Sequence, residues 1–145
     1  KDFHPQLNGN YHPVGTTDSE RAFCFLLEAL RRMFPNGQPG VELLYAAVKE
    51  VTCELAKYGV FNYLLSNGEC LFAHCADQLS YVLRHAPFGR AHLKDQDITV
   101  DFSRLTKPND KVAIIATLPL TDNESWTEMA PGELLLFKDG EPLSL

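Results

Sequence analysis

The rhythm of apolar residues changes once along this chain, and that change restricts the fold more than any other feature. Before Gly59, Phe23, Leu26, Leu27, Leu30 and Phe34 recur at helical spacing. Val41, Leu44, Tyr45, Val48 and Leu55 repeat the pattern after the breaker cluster Pro35-Asn36-Gly37-Gln38-Pro39-Gly40. The spacing predicts helices over 18–34 and 41–58, with Gly59 placed to end the second by a left-handed cap. Beyond it, short apolar and aromatic segments predict strands over 60–65, 70–76, 79–85, 98–102, 111–118 and 133–137. Ser66-Asn67-Gly68-Glu69 separates the first two as a hairpin signal, because Asn-Gly accepts the positive φ of a tight turn. Asp139-Gly140 marks a last turn before a short terminal strand, and 86–97 and 119–132 read as irregular. Two helices followed by a run of strands is an α+β arrangement. Each helix has a single broad apolar face, so the pair is expected to pack on antiparallel sheet to bury both.

The first helix has a defined start. Thr17 followed three residues later by Glu20 is a capping box: the Thr17 hydroxyl accepts from the Glu20 N–H, and the Glu20 carboxylate reaches back to the Thr17 N–H. Asp18 then falls in the first turn, where the helix dipole favours negative charge. A carboxylate there has two uses. It completes an ordinary acidic helix start, or it receives an ammonium group from a ligand.

Composition excludes several classes of function. Of 145 residues 45% are hydrophobic, nine Phe among them, enough for the core of one domain. Thirteen basic against nineteen acidic residues give a net charge of −6, which argues against a nucleic-acid surface, since phosphate binding needs clustered Lys and Arg. No apolar run approaches the roughly eighteen residues needed to span a bilayer, and four Cys without close-set pairs suggest reduced thiols in a cytoplasmic protein.

Other constellations are weaker. Cys70 and His74 would share one face of a strand with Cys75 on the other, but no Cys-x-x-Cys or His-Glu-x-x-His spacing exists, and no metal is expected. Asp95 and Asp97 lie in Lys94-Asp95-Gln96-Asp97, which reads as a solvated turn entering a strand rather than an acid/base pair. Trp126 is a lid residue or a core plug, and the plug is favoured because large aromatics mainly contribute buried area. His4, His12, His85 and His92 have no evident partner. Phosphate-cradling loops, dinucleotide fingerprints and nucleophile elbows are all missing, so no cofactor is expected.

A set of motifs in fixed order adds to this. Asn8-Gly9-Asn10-Tyr11-His12-Pro13-Val14-Gly15-Thr16-Thr17-Asp18-Ser19-Glu20 and the helix after it open the set. Phe61-Asn62-Tyr63-Leu64-Leu65-Ser66-Asn67-Gly68, Ile114-Ile115-Ala116-Thr117-Leu118-Pro119-Leu120, Trp126 and Met129-Ala130-Pro131-Gly132-Glu133-Leu134 follow. Together they resemble the C-terminal portion of a class II glutamine amidotransferase, most similar to the small stand-alone bacterial members. The resemblance implies an Ntn-hydrolase-like four-layer αββα sandwich, of which residues 1–145 supply one part of a single domain. It implies a glutaminase reaction, in which an N-terminal Cys attacks the glutamine side-chain amide, releases ammonia and leaves a thioester that water hydrolyses to glutamate. It makes Asp18 the acceptor of the glutamine α-ammonium, and Thr17 part of the turn that presents it.

The resemblance also implies what is not here. The family's nucleophile is a Cys whose own α-amine is the general base, an arrangement that an internal Cys cannot reproduce. This chain begins with Lys1, and Cys24, Cys53, Cys70 and Cys75 are internal. No catalytic residue is therefore assigned within it. The missing N-terminal segment of the same protein is the expected partner, a homo-oligomer is possible, and neither nucleic acid nor membrane is expected. The competing expectation is a non-catalytic α+β binding or interaction module, in which Thr17 to Glu20 only cap a helix.

Overall fold

The structure, a computed structural model, describes residues 5–7, 9–103 and 106–145; His4 and Asn8 lie outside these. The chain divides into two compact units, one ending at Phe61 and joined by Leu145, the other spanning Asn62–Ser144.

The first unit holds two helices that pack against one another, α1 (Asp18–Met33) and α2 (Val41–Leu55). Helix α1 begins at the expected residue and ends one short of expectation, with the Phe34 N–H closing on the Leu30 carbonyl at 3.0 Å. Its buried positions are Ala22, Cys24, Leu26, Glu28 and Ala29, while Phe23, Leu27 and Leu30 are half-buried. The same holds on α2, where Val48 is buried but Val41 and Tyr45 are half-buried. Of the stripes read from the sequence, Leu26, Leu44, Val48 and Leu55 lie at the buried centre, and Phe23, Leu27, Leu30, Val41 and Tyr45 form half-buried borders.

Helix α2 stops earlier than Tyr58. Ala56 is its C-cap in right-handed geometry, and the N–H groups of Lys57 and Tyr58 bond to the Glu54 and Leu55 carbonyls in tighter, three-residue turns. The end is made by that tightening rather than by a left-handed Gly59.

The second unit contains all the strands among the described residues: β1 (Tyr63–Ser66), β2 (Leu71–Cys75), β3 (Ser80–His85), β4 (Arg90–Leu93), β5 (Ile98–Asp101), β6 (Lys111–Ala116), β7 (Thr127–Glu128), β8 (Glu133–Lys138) and β9 (Glu141–Pro142). They form sheets ordered β1-β2-β8-β9, β6-β3-β7 and β4-β5, and every pairing is antiparallel. The molecule is thus α+β, with two helices and antiparallel sheets.

Alternation along the strands builds the core. Ala73 and Cys75 on β2 and Phe137 on β8 are buried on one face of the first sheet, with Leu71 and Leu135 beside them. Tyr81 and Leu83 on β3, paired with Ile115 and Ala113 on β6, pack against that cluster from the second sheet. Tyr81 meets Phe137 edge-on at 5.3 Å between ring centroids, a favoured aromatic geometry. The intervening residues Phe72, His74, Leu134 and Leu136 are buried as well, so the β2–β8 pair is covered on both faces.

Two strands fall in segments read as irregular. β4 lies in 86–97, where Arg90 and His92 break the apolar alternation, and β7 lies in 119–132. Only two residues long, β7 is defined by its partner β3 through Ser80↔Glu128 and Tyr81↔Thr127. The β1–β2 turn also differs in mechanism. Gly68 has φ +90, but Asn67 does not share a positive φ. Instead its side-chain oxygen accepts from the N–H groups of Glu69 at 3.0 Å and Cys70 at 2.8 Å, an Asx turn.

Candidate functional site

The first turn of α1 is shaped by the residues just before it and by one carboxylate on the helix itself, that of Glu20. Thr17 is the N-cap in extended conformation, φ −78 and ψ 146, and its Oγ1 accepts from the Glu20 N–H at 3.3 Å. Half of the capping box is therefore present. The other half is replaced: the Glu20 carboxylate accepts from the Val14 N–H at 2.5 Å and the Gly15 N–H at 2.8 Å. Those two donors belong to a segment folded back over the helix start, one on each carboxylate oxygen, and the carboxylate is turned to them rather than to the Thr17 N–H. Asp18 follows as the first helical residue, exposed, and its carboxylate makes no hydrogen bond among the described residues. The hydrogen bonds that fix the helix start are made by its neighbours.

Three turns into the helix lies a residue that sequence reasoning missed. Glu28 is 2% exposed. Its Oε1 accepts from the main-chain N–H groups of Asn10 at 2.8 Å and Tyr11 at 3.1 Å, and its Oε2 from the Asn10 side-chain amide at 3.4 Å. Burial pushes this carboxyl upward, but the Asn10 and Tyr11 donors, with the positive charge of Arg31, outweigh it and hold the pKa below its usual value. Residues 10–17 thus form a strap tied to one helix at two points. The available signal was a lone carboxylate bordered by Leu27, Ala29 and Leu30.

The cysteines have different surroundings. Cys24, Cys70 and Cys75 are buried and Cys53 is exposed; all four are free thiols. Burial pushes the Cys24 and Cys75 thiols up, reinforced at Cys24 by Glu20 and Glu28, the opposite of what an activated nucleophile needs. His74 is buried and stacks on Tyr63 at 5.3 Å between centroids. Among the described residues, no group of three His, Cys, Asp or Glu is arranged to hold a metal.

The second unit corrects two readings. His92 has partners: its Nδ1 lies 3.0 Å from both Asp122 carboxylate oxygens and its Nε2 lies 3.1 Å from Asp97. Hydrogen bonding to Asp122, then its charge and those of Asp97, raise the imidazole pKa against the opposing effect of burial. Asp97 thus serves the turn as a His92 partner, while Asp95 is exposed. His85 is also paired, 3.0 Å from Glu141. Trp126 is neither free lid nor fully buried plug. Half-buried, its indole N–H donates to the Thr121 hydroxyl at 2.9 Å, which donates to Glu124 at 2.7 Å. Glu124 in turn accepts both guanidinium N–H bonds of Arg84 at 2.6 Å, and Arg84 lies 4.9 Å over the Phe102 ring.

Comparison with known proteins bears on what such a chain belongs to. Residues 1–145 match the family described as "Glutamine amidotransferases class-II". The chain is 49% identical over 141 residues to a Haemophilus influenzae protein named "Putative glutamine amidotransferase", covering 97% of this chain and 48% of that protein. It is 47% identical over 133 residues to the similarly named YafJ of Escherichia coli, covering 92% of this chain and 52% of YafJ. A crystal structure of a "predicted glutamine amidotransferase" from Pseudomonas aeruginosa superimposes with a TM-score of 0.86 at 51% identity, over 100% of this chain and 56% of that one. The chain spans about half the length of these relatives. With the family matched from end to end and the same α+β fold in a solved relative, this chain belongs to the class II glutamine amidotransferases.

Proposed function

We propose that these residues form the substrate-recognition part of an enzyme that releases ammonia from glutamine, with Asp18 accepting the glutamine α-ammonium and Thr17 holding the turn that presents it. The observation that carries this reading is the Asp18 carboxylate: exposed in the first turn of α1, with the capping bonds made instead by Thr17 and Glu20. A carboxylate with no hydrogen bond to the described residues is available to a cation. The family match over the whole chain makes an amino acid the fitting cation, and it favours the enzyme over a non-catalytic interaction module.

The chemistry of the reading is nucleophilic. A thiolate attacks the side-chain amide carbon, the C–N bond breaks as ammonia takes up a proton and leaves, and water then hydrolyses the γ-glutamyl thioester to glutamate and free thiol. The nucleophile is assigned to sequence outside these 145 residues, for Cys24 and Cys75 are buried with raised pKa values and no internal Cys carries its own α-amine. Asp18→Asn in the full-length protein tests the site. It preserves the helix start while removing one charge-assisted hydrogen bond, worth about 1.5–3 kcal/mol. KM for glutamine should rise roughly ten- to a hundredfold at unchanged thermal stability. Unchanged glutamine kinetics would return Asp18 to a helix-start role.

A further inference from the structure

We propose that Glu28 is a positioning residue for glutamine binding: its buried carboxylate anchors the Asn10–Tyr11 end of the strap whose other end leads into Asp18. The inference rests on the reading of Asp18 above. Glu28 and Asp18 stand on one helix, so the anchor and the proposed ligand group share a rigid frame. Glu28 takes the main-chain N–H groups of Asn10 and Tyr11, and Glu20 takes those of Val14 and Gly15, so only His12 and Pro13 lie between the two ties. Proline fixes its own φ, which leaves the bridging segment little freedom.

A role in stability alone explains this arrangement poorly. Taking a carboxylate out of water is costly, and an apolar residue of similar volume would fill the same place on α1 at less expense. What the carboxylate supplies, and an apolar side chain cannot, is acceptors for strap N–H groups. Glu28 donates nothing and is 2% exposed, so it is a fixed point for the strap rather than a contact for ligand. A strap held at both ends is already ordered where it leads into Asp18, and a preformed site binds without first ordering a loop. Release of one tie makes each binding event order residues 10–13 again, a cost that appears in KM and leaves the chemical step untouched.

The pattern of bonds makes the test specific. Both main-chain donors converge on Oε1, so Glu28→Gln can keep the anchor with its amide oxygen, whereas Glu28→Ala removes it and Glu28→Asp draws it back by one methylene. In the full-length protein with glutamine as substrate, Glu28→Ala should raise KM roughly tenfold with kcat within about twofold, and Glu28→Gln should restore KM to within about threefold. Amide hydrogen exchange at Asn10 and Tyr11 should accelerate in Glu28→Ala while Val14 and Gly15, tied to Glu20, stay protected. If Glu28→Ala does not fold, Glu28→Asp is read by the same criteria. A folded variant with unchanged KM, a loss in kcat at constant KM, or equal losses in the Ala and Gln variants would each overturn the proposal. Asp18→Asn measured alongside separates the two ideas: if it raises KM and the Glu28 variants do not, only the positioning role falls, whereas an unchanged KM in Asp18→Asn removes the reading beneath it.

Discussion

His92 shows how single residues carry long-range structure in this molecule. It sits between Asp122 and Asp97, and its main-chain N–H donates to the Asn123 side chain at 2.8 Å, joining the β4–β5 hairpin to the segment before β7. Because the folded imidazole titrates above its unfolded value, its stabilisation is complete below about pH 6.5 and lost as pH rises through the folded pKa. The melting-temperature difference between the native protein and His92→Gln should be largest near pH 5.5 and shrink toward pH 8.5; a difference constant with pH would show that the charge is unimportant. Arg84 and Glu124 make the opposite case, a bidentate pair with side chains only 14% and 16% exposed. Glu124→Ala leaves Arg84 without its counter-charge and Thr121 without its acceptor, so urea unfolding should report a loss of about 2–4 kcal/mol.

At the scale of elements, the turns show which constraints are local. Gly68 and Gly140 both have positive φ, +90 and +77, yet their surroundings differ. A Cβ at Gly68 meets nothing within 4 Å, whereas one at Gly140 would run into the Lys111 carbonyl, main chain that has no rotamer to move. Gly68→Ala should therefore cost only the left-handed penalty, about 1–2 kcal/mol. Gly140→Ala should cost clearly more, because β9 must also be displaced from the start of β6. Matched denaturant titrations of the two variants check this, and equal losses would mean that the close approach is easily relieved. The Lys111–Glu141 and His85–Glu141 pairs reinforce the same junction from the side chains.

At the scale of the whole molecule, the sheets end in strands that pair on one side only among the described residues: β1 begins its sheet and the six-residue β6 begins another. An unpaired edge offers N–H and C=O groups to any passing chain. Relatives about twice as long have further sequence with which to cover such edges. Expressed alone, residues 1–145 should form oligomers or precipitate, and should release no ammonia from glutamine. Light scattering and an ammonia assay check the two halves; turnover by the isolated chain would overthrow the assignment of the nucleophile, and a stable monomer would show that these edges need no cover.

The sequence by itself determined what depends on near neighbours. Thr17 and Glu20 lie three apart, so the helix start was legible from spacing, as were the two apolar rhythms, the Asn67-Gly68 hairpin and the Asp139-Gly140 turn. The ordered motifs carried the family in the same way. Tertiary structure alone decided what depends on distant partners. Even at short range the spacing was incomplete: the Glu20 carboxylate takes the Val14 and Gly15 N–H groups, six and five residues back, rather than that of Thr17. Glu28 finds Asn10 eighteen residues away and His92 finds Asp122 thirty away. β7 is a strand only because β3 lies beside it. A local hydrogen bond is specified by the separation of its two residues, but a long-range bond exists only after the chain between them has closed, and no periodicity in the sequence records which closure that is.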